Sequence, residues 1–187
     1  MMKYLQNGGF QNNPLMRLTV SLTLALLLGL WATNFAMYFT RMDLSPASVV
    51  TYYNGSEQEF RPARSGASML ETTHMHLPMM GIVLLFLTHL LIFVPLARGP
   101  KVALILATFA GAMLDESAGW LVRFVDPAFA PLKVAGFLIL QTTLGVVILA
   151  LAVFLVRAAL SGLKNASAEE AEEIGQRVST PSAISRA

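Results

Sequence analysis

The chain has 187 residues, of which 55% are hydrophobic and only 13% charged, with a formal net charge of +2 and a mean hydropathy of +0.61. About 25% charged residues is usual for a soluble domain, so the apolar excess points to lipid as the solvent for most of the chain. The lack of cysteine excludes disulfides, thiolate nucleophiles, iron–sulfur clusters and thiolate zinc sites, and basic residues scattered at segment ends give nucleic-acid binding no support.

Residues 1–16 read as a polar cytoplasmic N-terminus. Four apolar stretches follow, each long enough for the roughly 20 residues that a bilayer requires: 17–39, 74–96, 102–125 and 132–156. The first carries a small residue, Ala36, where a signal peptide would be cut. Its length and weakly charged start favour a retained helix.

The segment 40–73 reads as a loop outside the membrane on the periplasmic side. Within it Ser45 is placed to cap a short helix begun by Pro46, and Asn54-Gly55 is a turn signal. The connections Arg98 to Lys101 and Asp126 to Pro131 are short. They force the last three helices into an antiparallel up-down unit. The tail, 164–187, carries Glu169, Glu170, Glu172 and Glu173 and then Ser, Thr and Pro. It reads as a short polar helix fading into disorder.

Orientation follows from Lys and Arg. Lys3, Arg17, Arg98, Lys101, Arg157, Lys164, Arg177 and Arg186 fall on one side; Arg41, Arg61, Arg64, Arg123 and Lys133 fall on the other. The bias favours both ends inside. The expected fold is therefore an all-α, multi-pass integral membrane four-helix bundle with N-in/C-in topology.

Ionisable groups within a bilayer are costly unless paired or hydrated, so each is a functional candidate. Glu71, His74 and His76 lie at or just below the outer interface, and Asp115 and Glu116 lie roughly 12–15 Å below the outer end of the third helix, at about 1.5 Å per residue. Arg123 is placed above them to neutralise Glu116. Asn34 and Gln141 fall in the outer portions of the first and fourth helices as further polar neighbours. The inner half is nearly all aliphatic, broken by Thr88 and His89.

Three readings of the histidines stay open. If the regular helix begins near Leu77, where Pro78 suits a first turn, then His74 and His76 lie on an extended lead-in and point the same way. They then bind a transition metal with Glu71, Asp115 or Met75, Met79 and Met80, and ligands without thiolate favour copper. Alternatively His74, His76 and His89 serve a b-type haem, which needs a methionine or a second subunit for its other axial ligand. Or the histidines bond to nearby carbonyls and carry no cofactor. Trp31, Trp120, Tyr38, Tyr52 and Tyr53 read as interfacial anchors, and Gly111 and Gly119 as helix contacts. No GxxxxGK[ST], GxSxG, HExxH or CxxCH motif is present, so nucleotide, serine-hydrolase, zincin and covalent-haem chemistry have no support, and an enzyme is not the favoured reading.

The motifs TYYNG (Thr51 to Gly55), LETTHMH (Leu70 to His76) and SAGWLVRF (Ser117 to Phe124) resemble a family of small, uncharacterised bacterial four-helix inner-membrane proteins. The resemblance implies the topology above and a respiratory or redox setting. The expectation is thus a metal-binding or redox-associated accessory protein with a periplasm-facing polar site. A membrane redox complex is the partner that reading implies. The alternatives are a b-type haem protein of electron transfer, which a homodimer would complete, or a structural subunit of a larger membrane complex without a cofactor of its own.

Overall fold

The computed structural model describes residues 13–179. Helix α1 spans Pro14–Phe39, α2 Pro46–Asn54, α3 Gly66–Leu91, α4 Arg98–Phe124 and α5 Ala130–Ser179. A single 3-10 turn, Pro127–Phe129, joins α4 to α5. The described residues form no strand. The four long helices are each long and apolar enough to cross a membrane, which makes the protein an all-α, multi-pass membrane bundle in contact with lipid. An even number of crossings puts both ends of the span set on one side.

Local chemistry sets the helix ends. Asn13 Oδ1 accepts from the amides of Leu15 and Met16 (3.0 and 3.2 Å) and starts α1. Ser45 caps α2 by accepting from Ser48 N at 3.3 Å, with Pro46 at its first position. The stop at Gly55 has φ 81°, and a Cβ there would lie 2.5 Å from Arg61 O, so only glycine fits. The cap and the turn both stand where the sequence puts them.

The start of α3 differs from the sequence reading. Ser65 caps it by accepting from Ser68 N at 3.2 Å, and the helix runs on through His74, His76 and an internal Pro78. The extended lead-in is therefore absent: on a helix, residues two apart diverge by about 200°, and His74 and His76 cannot chelate one ion together. Proline inside α3 costs one backbone bond, which a helix already nucleated upstream tolerates. At the other end α3 stops at Leu91 rather than 96, and Lys101 Nζ caps the turn by donating to Ile92 O at 2.6 Å. Helix α5 runs without a break past residue 156, through Lys164 to Ser179. The remainder of the expected tail, 180–187, and residues 1–12 of the expected N-terminus lie outside the described residues.

The chain forms two compact units. The smaller contains the start of α1 and the later part of α5, where the Arg17 guanidinium faces Gly162. The larger, Leu22–Leu151, holds the rest of the helices. In the larger unit Tyr38, Met42, Val49, Val122, Ala130 and Phe137 form a buried cluster, with the Tyr38 ring stacked on Phe137 at 3.7 Å. Val49 is fully buried, so α2 closes one end of this unit like a plug. Close approach of α4 and α5 is permitted by small residues: a Cβ on Gly136 would sit 2.5 Å from Asp115 N, and one on Gly111 would sit 2.9 Å from Leu140 N. Outward-facing Leu26 (77% exposed) and Leu85 (64%) present the apolar surface that lipid requires.

Candidate functional site

A cleft of about 440 Å³ lies within the larger unit. Helix α1 supplies one wall through Leu30, Asn34 and Met37, α3 supplies the facing wall, and α4 and α5 supply the floor. The rim residues Leu30, Met37, Met75 and Met79 are 43%, 48%, 64% and 56% exposed. The cleft therefore opens sideways between α1 and α3, toward the lipid, rather than only toward water.

The polarity of this cleft is graded along α3. Thr72, Thr73 and His76 line its upper part, below the α2 end, and Met79, Met80, Val83 and Leu84 line the lower part. Six of the lining side chains are methionines: Met37, Met42, Met69, Met75, Met79 and Met80. Such unbranched, polarisable side chains make an adaptable apolar wall.

Two charged groups face this space from α4. Glu116 is held from α3: Thr73 Oγ1 donates to its Oε1, and His76 Nδ1 lies 3.3 Å from its Oε2. Trp120 Nε1 donates to Thr73 Oγ1 at 3.0 Å, which fixes the hydroxyl that serves Glu116. Asp115 is met instead from α5, where Lys133 Nζ lies 2.8 Å from Asp115 Oδ1 and also donates to the Asp115 carbonyl at 2.9 Å. Both members of that pair are largely buried, and both line the cleft.

Asn34 and Gln141 also line the cleft. Gln141 is 4% exposed; its carbonyl accepts from Trp31 Nε1 at 2.8 Å. Its side-chain Oε1 is buried with no hydrogen-bond partner, a free acceptor beside an apolar wall.

Of the residues singled out in the sequence, His76, Asp115, Glu116, Asn34 and Gln141 come together on this cleft. Glu71 and His74 are exposed on α3 outside it. His89 lies about 20 Å further along the helix, at 1.5 Å per residue, and packs edge-on against Phe93 at 5.8 Å. Arg123 does not neutralise Glu116: its Nε donates to Arg64 O at 2.9 Å, because Thr73 and His76 already occupy both carboxylate oxygens. Among the described residues no three His, Asp or Glu side chains gather as a metal site.

The aromatics act within the fold as well as at its boundary. Trp31 and Trp120 spend their indole N–H groups on Gln141 O and Thr73, and the Tyr53 hydroxyl fills the space over Gly119, where a Cβ would approach it to 2.6 Å. Burial pushes the Tyr53 hydroxyl above its ordinary range. Lys133 is the site residue the sequence reading assigned to the outer loop charges. A signal for it existed: Asp115 and Lys133 are equidistant from Phe124, so a tight α4–α5 hairpin sets them opposite each other.

Comparison with known proteins gives one result. A family model described as a transmembrane helical domain, Aq_1264_TM, matches residues 43–161, from just before α2 into α5. No curated protein and no solved structure matches the chain.

Proposed function

The chain belongs to the Aq_1264_TM transmembrane helical domain family, and for this multi-pass membrane protein we propose a binding role: the cleft takes up an amphipathic molecule from the bilayer. The observation that carries this reading is the sideways opening of the cleft between α1 and α3, at rim residues Leu30, Met37, Met75 and Met79. An apolar tail fits against Met79, Met80, Val83 and Leu84, while its polar end meets His76 and Glu116. Pockets of this size, apolar with a few convergent polar groups, are the usual form of small-molecule sites. With the lysine and arginine bias taken as cytoplasmic, the protein sits N-in/C-in in a bacterial inner membrane, and the polar end of the cleft faces the periplasm.

The test is the composition of the purified full-length protein. Lipid extraction and mass spectrometry should find an amphiphile at near-stoichiometric amount, and Met79→Trp, which places a bulky ring at the exposed rim, should deplete it. A wild-type protein whose retained lipids match the detergent-exchanged background, unchanged in Met79→Trp, would sink the reading.

A second reading is favoured by one specific observation, the lining of Met75, Met79 and Met80 beside His76. Thioether and imidazole ligands suit copper(I), which would make the protein a metal-handling accessory of a redox system. Copper titration under reducing conditions, with Met79→Leu/Met80→Leu as the comparison, separates it from the first. The haem reading is left with one histidine, His76, on the cleft and needs a methionine beside it or a second subunit.

A further inference from the structure

Above the cleft, at the α2 end, lies a second cavity of about 300 Å³ lined by Thr40, Arg41, Tyr52, Arg61, Pro62 and Arg64. Arg41, Tyr52 and Arg64 line both cavities, so the two spaces meet along these three side chains.

Arg64 is built in rather than merely present. Its backbone N–H donates to Tyr53 O at 2.9 Å, and its carbonyl accepts from Arg123 Nε at 2.9 Å. Its guanidinium donates to Tyr52 OH at 2.7 Å and to Ser68 Oγ at 2.9 Å, and lies over the Tyr52 ring at 5.3 Å. Arg64 Nε is buried with no hydrogen-bond partner. The groups that hold its guanidinium, Tyr52 OH and Ser68 Oγ, are neutral, so its charge stays uncompensated.

The acids at this end are engaged elsewhere or lie away. The Asp43 carboxylate accepts from Ser45 N at 2.6 Å. Glu59 pairs with Arg61 at 3.2 Å, but both are more than half exposed, where such a pair contributes little. Asp115 meets Lys133, and Glu116 meets Thr73 and His76. Glu57 and Glu71 are exposed and line neither cavity. Among the described residues neither Arg41 nor Arg64 has an ion-pair partner. The mouth of an apolar, sideways-open cleft therefore presents two unneutralised guanidinium groups.

Resting on the reading of the cleft as an amphiphile site, we propose that its occupant is a membrane lipid whose polar head carries a phosphate, bound by Arg41 and Arg64. Guanidinium groups match phosphate oxygens in charge and in paired-donor geometry. Tyr52 sets the angle of the Arg64 fork. The lipid tail continues down the methionine wall, past Met79 and Met80.

The experiment uses the full chain in detergent and compares three probes by native mass spectrometry and titration: phosphatidic acid, diacylglycerol with the same acyl chains, and inorganic phosphate. Phosphatidic acid should bind about tenfold tighter than diacylglycerol, the effect of one charge-assisted hydrogen bond. Arg41→Gln, an exposed position whose change leaves the fold intact, should remove most of that preference, and Arg64→Lys should weaken it. Met79→Trp should weaken both lipids alike. Equal binding of the two lipids, with Arg41→Gln silent, overturns the phosphate assignment and leaves the cleft reading standing. Failure of wild type to bind either lipid overturns both. Inorganic phosphate binding as tightly as phosphatidic acid, and displacing it, overturns a lipid as the occupant.

Discussion

Asp115 on α4 and Lys133 on α5 are joined by an ion pair of 2.8 Å, with side chains only 20% and 11% exposed. The pair ties the two helices together across a hairpin whose backbones already touch at Gly136. Breaking one member of a buried pair leaves an uncompensated charge, which costs about 3–5 kcal/mol, whereas replacing both is far less damaging. Lys133→Met alone should therefore lower the thermal midpoint in detergent sharply, and Asp115→Asn/Lys133→Met should recover most of the loss. A double variant no more stable than the single one would show that the pair does not couple the helices.

Thr73 is the link between Trp120 and Glu116. It donates to the carboxylate and accepts from the indole, so its hydroxyl serves two groups at once. Thr73→Val keeps the shape and strands both partners; a lost buried hydrogen bond of this kind costs about 1–3 kcal/mol. Thr73→Ser should retain most of the stability. The emission of Trp120 should shift in Thr73→Val and not in Thr73→Ser, with the Trp31 contribution removed by working in a Trp31→Phe background.

The four crossings were legible because apolar run length is a local property of the chain. Their boundaries were less so. Hydropathy reports where lipid is, not where a helix begins, and the first two turns of α3, from Gly66 to Thr73, are helical but polar enough to read as loop. That shift decided the histidines: a helix capped at Ser65 turns His74 away from His76, while a start near Leu77 would have aligned them. Depth was readable only coarsely: His76 was set at the outer interface and Glu116 well below it, yet the two meet, because α3 begins at Gly66 and carries His76 roughly two to three turns down. Azimuth was not readable. Which carboxylate met which cation depended on helix rotation, so Arg123 was matched with Glu116 and Lys133 was left among the loop charges. The methionine wall was legible only in part for the same reason: Met75, Met79 and Met80 stood out beside the histidines, but Met37 from α1, Met42 from the loop after it and Met69 join them only in three dimensions.

Glycines separate into those that hold helices together and those that do not. A Cβ on Gly136 would meet Asp115 N at 2.5 Å and Asp115 Cα at 2.8 Å, and backbone atoms have nowhere to retreat. Gly136→Ala should destabilise by about 1–3 kcal/mol, the usual cost of overpacking. Nothing lies within 4 Å of a Cβ on Gly29 or Gly81. Gly81→Ala should be neutral or stabilising by up to about 1 kcal/mol, from helix propensity alone. Denaturant titration of the two variants in one detergent checks the order, and equal effects at positions 136 and 81 would remove the close-packing argument for α4 and α5.

Asp43 carries an acid-dependent contribution to the α2 cap. The carboxyl accepts from the Ser45 backbone at 2.6 Å, and hydrogen bonds from Ser45 and then Ser48 hold it below its ordinary value of 3.8. A group depressed in the folded state stabilises it fully above the unfolded pKa, and that contribution is lost as pH falls through the lower, folded value. The side chain is fully exposed, so the effect is local to the cap. A carboxyl titration followed by NMR in micelles should therefore place the Asp43 midpoint below 3.8, and Ser45→Ala should move it back up. Between pH 5 and that midpoint the α2 signals should hold, then broaden as the acid protonates. Asp43→Asn should abolish the transition. A midpoint at or above the ordinary value would mean that the Ser45 and Ser48 hydrogen bonds do not hold the carboxylate charged, and one indifferent to Ser45→Ala would remove the Ser45 hydroxyl from that set.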